Sequence, residues 1–323
     1  MAKKIKINDL RPGMYVMLPR AWKEHPFLRN SFTITSEKQI QKLKDFGIQD
    51  IDIDETKGAS ADEALSESEK TDKDDGNELH NISESLREII ADKKLPPEMK
   101  ARVIHEHSVD MMKYLWKNPS GERIADFKKS VVCVVDNILT DDATNKHLLK
   151  LTDYDYNTYV HSVNVGVLAL SLAKELFKKQ TRHDMHALGA GFFLHDLGKV
   201  AIDESIINKP GKLSDEEMAI MKRHPAMGFK LLHDTKQITE ESRLIVLQHH
   251  ERYNGSGYPR TLRGPEIHMY GRICSVADVF DALVSKRPYK AQKKPFEALK
   301  IMKEEMIEHF QKEVFQTFVL LFI

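Results

Sequence analysis

His195-Asp196, an imidazole beside a carboxylate, closes an apolar segment at 187–194, and Gly198 and Lys199 follow it. Nitrogen and oxygen donors side by side, with a glycine able to stop a helix and a cation beyond, suit a divalent metal held against a phosphate. Two adjacent polar residues at a helix end are more often a cap than a ligand pair, so the chemistry depends on partners elsewhere. The chain supplies them. His161 stands ahead of the apolar stretch 163–172, His224 precedes Pro225, and His249-His250-Glu251 follows 244–248. Asp278 and Asp281, three apart, share one face of the apolar segment 273–283.

These make five imidazoles and at least two carboxylates, Asp196 and Asp278, on separate predicted helices. With no thiolate among them they favour iron, manganese or another borderline divalent ion, and they exceed what one ion needs. A dinuclear site polarises a phosphoryl group and generates hydroxide near neutral pH, which is the chemistry of phosphodiester hydrolysis. Adjacent helical residues point about 100° apart, so His195 and Asp196, or His249 and His250, can reach one cluster differently. His105 and His107, two apart on a predicted helix, diverge and make a poor ligand pair.

Helices must position these groups. Pro96-Pro97 begins one that stops at Asn118-Pro119, a second covers about 122–139, and a third, about 158–177, carries His161 on its first turn. Ser214 and Glu217 have capping-box spacing for a helix expected to end at His224-Pro225. In the loop 252–259, Gly255 and Gly257 permit backbone conformations closed to other residues and Pro259 stiffens the exit, so Tyr258 is presented from a defined loop.

Ahead of the helices, residues 1–58 read as a small α+β domain. Ile5 and Ile7 alternate with polar residues, Pro12-Gly13 turns, strands follow at 14–18 and 32–34, and Ser36 with Gln39 opens a helix that Gly47 ends. Ile48, Ile51 and Ile53 close the unit, and Trp22, His25 and Phe27 are expected to pack against its sheet. Residues 59–80 form a flexible linker, too polar to offset their ordering entropy. Connecting helices occupy 81–145, and the histidine-bearing remainder runs over 146–323. The chain has 49 basic and 49 acidic residues among 323, so its charge gives no reason to seek nucleic acid or an anionic membrane. Cys133 and Cys274 stand far apart, which argues against a disulfide framework and for a reducing compartment. The basic start lacks an apolar run behind it and no uninterrupted apolar segment spans a bilayer, so a cytoplasmic protein is expected. The apolar end, 318–323, is expected to pack as a helix end.

His195-Asp196-Leu197-Gly198-Lys199, His249-His250-Glu251 and Gly255-Ser256-Gly257-Tyr258-Pro259 together resemble the HD-GYP branch of the HD phosphohydrolase superfamily, from about Lys146 onward. Residues 4–58 resemble the small N-terminal domain of unknown function that often precedes it. The resemblance implies a mainly α protein, a helical-bundle HD-GYP domain preceded by a small α+β domain. It implies a phosphodiesterase that opens cyclic di-GMP to pGpG and, in some members, cuts on to GMP. His161, His195, Asp196 and Asp278 would hold one metal, His224, His249 and His250 the other, with Asp196 bridging and Lys199 beside the bridging water or scissile phosphate. Arg287 and Lys290 match positions that contact substrate phosphates. Gly255, Gly257, Tyr258 and Pro259 would lie near substrate and offer a surface to partners, including diguanylate cyclase (GGDEF) domains; a homodimer is also admitted.

Two positions depart from the family pattern. Asn254 replaces the usual Asp, keeping the turn chemistry without the charge. Asn157 stands where members with a third metal have Glu, so two metals are expected. Asn254 keeps open a catalytically weak or inactive cyclic di-GMP-binding or scaffold protein acting through the Gly-Tyr-Pro loop. The breadth of the superfamily admits another phosphate ester as substrate.

Overall fold

The computed structural model describes residues 2–17, 31–34, 37–45, 47–54, 85–151, 157–178, 180, 182–285 and 293–323. Trp22, His25, Phe27, Ser36, the linker 59–80, and Arg287 and Lys290 lie outside them. The chain divides into two compact units, Met1–Gly76 and Asn77–Ile323.

In the first unit, β1 (Ala2–Lys6), β2 (Tyr15–Met17), β3 (Ser31–Thr33) and β4 (Asp50–Asp54) form an antiparallel sheet in the order β1-β4-β2-β3, with α1 (Glu37–Asp45) between β3 and β4 in sequence. The period-two alternation of β4 buries Ile51 and Ile53, and Ile5 pairs opposite Ile51. Ile40 and Leu43, three apart on α1, join the same small core as Met14 and Val16.

The second unit is helical: α2 (Pro97–Lys117), α3 (Gly121–Thr140), α4 (Asp142–Leu148), α5 (Thr158–Phe177), α6 (Met185–Phe193), α7 (Glu204–Ile207), α8 (Asp215–Met221), α9 (His224–Asp234), α10 (Glu240–Gln248), α11 (Met269–Val284), α12 (Pro295–Glu305) and α13 (Lys312–Leu320). Side chains set many of the starts. Ser120, Asn157 and Asp184 accept backbone N–H bonds at the heads of α3, α5 and α6, and Ser214 with Glu217 closes the expected capping box on α8.

α5 is apolar around most of its circumference because it has protein on most sides, packing against α2, α3, α6, α11 and α13. It is long and apolar enough to cross a membrane by composition, but 83% of its most apolar window is buried in the bundle. α2 and α3 are more than connectors. Ile104, Met112 and Phe127 belong to one core with Val163, Phe193 and Phe280, and the rings of Phe127 and Phe193 meet edge-on at 6.4 Å. At the other end Phe318 is buried against Phe280, with ring centroids 5.1 Å apart, while Leu320 and Ile323 are exposed.

One helix boundary differs from expectation. His224-Pro225 begins α9 and does not end α8, which stops at Met221. Proline ends a helix when it falls in the interior but suits the first turn, where its missing N–H has no intrahelical partner to lose. This places His224 at a helix start, with its side chain turned inward.

Candidate metal centre

Separate elements converge on Asp196. α5 carries His161 one turn from its start. α6 ends at Phe193, and the next turns deliver His195 and Asp196, followed by a 3-10 turn at Leu197–Ala201. α9 begins with His224, α10 is capped by His249 with His250 next, and α11 carries Asp278 near its middle.

The two carboxylate oxygens of Asp196 face different histidine sets. Oδ2 lies 3.4 Å from His161 Nε2 and 3.5 Å from His195 Nε2. Oδ1 lies 3.2 Å from His224 Nε2 and 3.6 Å from His249 Nε2. Asp278 also reaches both sides, with Oδ1 at 3.1 Å from His161 Nε2 and Oδ2 at 3.4 Å from His250 Nδ1. Two groups are compact enough to hold an ion, His161 with His195 and Asp278, and Asp196 with His224, His249 and His250.

The proton positions decide what these contacts mean. Nδ1 of His161 faces Asp281 Oδ2 at 2.7 Å, and Nδ1 of His195, His224 and His249 faces the carbonyls of Phe192 at 2.8 Å, Met221 at 2.8 Å and Val246 at 3.0 Å. A neutral imidazole donating through Nδ1 leaves a lone pair on Nε2. His224 and His249 bring their Nε2 atoms within 3.1 Å of each other, and both are buried. His195 Nε2 and Asp196 Oδ1 are buried without a hydrogen-bond partner. Lone pairs gathered around a carboxylate repel unless a cation lies among them, and a buried unsatisfied polar group costs about 1–3 kcal/mol. The donor set therefore fits divalent metal ions.

The electrostatics agree. Burial pushes Asp196 toward its protonated form, but the Lys199 ammonium opposes it and the carboxyl is held well below the usual carboxylate range. Lys199 Nζ donates directly to Asp196 Oδ2. Burial lowers His224, and burial with the nearby His249 lowers His250 further, so both stay neutral and able to ligate. Asn157 spends its side-chain oxygen on the Val160 N–H at 2.9 Å, as the cap of α5.

The loop beside the centre is held by specific contacts. Gly255 takes φ +84, in the left-handed region. Gly257 is needed for a different reason, close packing, since a Cβ there would fall 2.3 Å from Arg252 N and 2.5 Å from Glu251 Cα. Asn254 Oδ1 accepts from the Ser256 N–H at 3.1 Å and its hydroxyl at 2.7 Å, so the amide makes the turn without the carboxylate charge. Tyr258 stacks on His250, ring centroids 4.7 Å apart, and the Lys222 ammonium lies 5.6 Å from its ring centroid. Burial and the charges of Asp278 and Asp196 push the phenol above its usual range, so it remains a neutral donor.

Sequence reasoning assigned no role to Asp281 or Glu251. Asp281 orients His161, and its three-residue offset from Asp278 was the available signal. Buried Glu251 accepts from the Arg260 N–H at 2.7 Å and the Leu262 N–H at 3.0 Å, tying the loop exit beside His250. Glu251→Ala is expected to lower stability by about 1–3 kcal/mol, the cost of two lost hydrogen bonds. Hydrogen exchange at the Arg260 and Leu262 amides should accelerate, and unchanged exchange there would contradict the anchoring.

A family model described as an HD domain matches residues 141–314, more than half of the 323. The chain belongs to the HD domain family. A second model, a domain of unknown function (DUF3391), matches residues 2–124 and so reaches through α2 into α3. Among curated proteins, the chain is 32% identical over 340 positions to a cyclic di-GMP phosphodiesterase of Pseudomonas aeruginosa, covering 99% of this chain and 76% of the relative. It is 31% identical over 244 positions to a 3'3'-cGAMP-specific phosphodiesterase of Vibrio cholerae, covering 73% and 52%. Among solved structures, Bd1817, an HDG"Y"P protein from Bdellovibrio bacteriovorus, aligns with a TM-score of 0.65 at 20% identity over 98% of both chains, a likeness of fold.

Proposed function

We propose that this chain is a metal-dependent phosphodiesterase that hydrolyses cyclic di-GMP to pGpG or, with a second cut, to GMP. The observation that carries the reading is the split of Asp196 between two buried histidine sets whose Nε2 lone pairs converge on it. In this reading His161, His195 and Asp278 hold one ion, His224, His249 and His250 the other, and Asp196 bridges. Iron or manganese suits this nitrogen and oxygen set. Bound there, two such ions would polarise the phosphoryl group and lower the pKa of water between them.

The chain's own groups supply the rest. Lys199 places a mostly buried ammonium where negative charge develops on the phosphate. Tyr258, stacked on His250 and neutral, offers a hydroxyl donor from the loop above the site. Arg287 and Lys290 are assigned to the substrate phosphates on the family resemblance. The rim of the loop at Ser256, Pro259 and Arg260 is exposed, which supports a contact with GGDEF domains.

The test is metal analysis of anaerobically purified protein, then incubation with cyclic di-GMP and chromatography of products, with and without chelator. About two ions per chain, pGpG or GMP as product, and loss of turnover with the metal are expected. Chelation should also lower the melting temperature, because ligand at about 100 times its dissociation constant stabilises by about 2.7 kcal/mol. Two ions bound with cyclic di-GMP intact would overturn the reading. The likeness to the Vibrio protein favours 3'3'-cGAMP as a second substrate, to be run in the same assay; product from that substrate alone would replace the first reading.

A further inference from the structure

A chain of hydrogen bonds leaves the metal centre behind His161 and ends on another helix. Asp281 Oδ2 accepts from His161 Nδ1 at 2.7 Å, and Asp281 Oδ1 accepts from Asn164 Nδ2 at 2.8 Å. Asn164 Oδ1 in turn lies 2.9 Å from His105 Nε2. Ser285 Oγ supports Asp281 Oδ2 at 3.0 Å. All four members of the chain are buried, with His105 at 7%, His161 at 2%, Asn164 at 1% and Asp281 at 0% exposure. Buried polar networks stabilise one arrangement only when each donor meets an acceptor.

Each link has one workable direction. The Asp281 carboxylate accepts from both neighbours, so Asn164 must turn Nδ2 toward it and Oδ1 toward α2. That oxygen then needs a donor, and His105 Nε2–H is placed to supply it. With the amide reversed, an amide oxygen would face a carboxylate oxygen in a buried site, which is repulsive. His105 thereby selects the Asn164 orientation that gives Asp281 its donor. Asp281 holds the His161 ring with Nε2 toward Asp196 and Asp278.

We propose that His105 and Asn164 are positioning residues for His161, so that the support of the metal centre begins on α2. His105 lies ahead of residue 141, where the HD domain match starts, inside the stretch matched by the domain of unknown function. The helix preceding the HD domain is then part of the metal centre's outer shell. This rests on the reading of the His and Asp cluster as a metal centre.

The test uses the full chain, stripped of metal and titrated with Mn2+ by calorimetry, with melting of the metal-free protein alongside. The unmodified chain is expected to take up about two ions. His105→Leu, which removes the donor, should weaken one site about ten-fold, the lower end of the range for outer-shell partners, and leave the other site unchanged. His105→Gln, whose amide carries a donor, should recover most of that loss. Asn164→Asp, which sets a carboxylate against Asp281 at almost unchanged volume, should reproduce the one-site loss. Intact binding at both sites in His105→Leu or Asn164→Asp would overturn the positioning role. Equal losses in His105→Leu and His105→Gln, with equal drops in metal-free melting temperature, would overturn it in favour of packing. An unmodified chain that binds no ion would overturn the metal reading itself and this inference with it.

Discussion

Asp196→Asn is expected to reduce bound metal from about two ions per chain to less than one, and cyclic dinucleotide hydrolysis by on the order of a thousand-fold or more. The substitution keeps shape and volume but replaces the carboxylate that both histidine sets face with a neutral amide. Outer-shell partners of a metal cost about 10–100-fold when lost, and Asp196 contacts both histidine sets directly, so its loss should exceed that range. The amide also leaves the Lys199 ammonium without its carboxylate. Metal analysis and product chromatography check the outcome, together with the rise in melting temperature on adding Mn2+, which should disappear. An Asp196→Asn protein that holds two ions and turns over normally would remove Asp196 from the centre.

Gly198→Ala should damage the protein from a position that touches no ligand through a side chain. A Cβ at Gly198 would lie 2.0 Å from the His224 carbonyl oxygen and 2.4 Å from Gly228 N. Both obstacles are backbone, so no side-chain rotation relieves them. α9 would have to back away, taking His224 with it. Overpacking of this kind costs about 1–3 kcal/mol, which lowers the melting temperature of a unit this size by roughly 2–12 °C. A misplacement of about 1 Å at a reacting centre costs about a hundred-fold in rate. The expected variant therefore melts early, binds metal poorly at the His224 side and is nearly inactive. Unchanged melting and turnover would mean that the turn and α9 do not meet this closely.

The identities of the grouped side chains were legible because histidine and aspartate beside apolar helical stretches have few other reasons to recur. Helix limits were legible where capping chemistry is local, as at Ser214 with Glu217 and at Pro97, which the structure places within a residue or two of expectation. His224-Pro225 was read from the wrong side because proline is compatible with both a helix end and a helix start. Gly198 was read as a stop signal, and its actual duty is the close approach to α9. Nothing in the sequence near Gly198 names a partner that follows it beyond α7 and α8.

By itself the sequence determined the two-part architecture, the apolar faces that make the bundle, the donor types and hence the class of metal, and the family. These are properties of local pattern and residue chemistry. Only the tertiary structure decided which oxygen of Asp196 meets which histidines, which of two carboxylates on one face of α11 orients His161, and that His105 on α2 reaches the centre through Asn164. His161 and Asp281 are separated by 120 positions, and His105 and Asn164 by 59. Spacing along a helix specifies a face, but the group that face meets is set by how the helices pack, which no local pattern encodes.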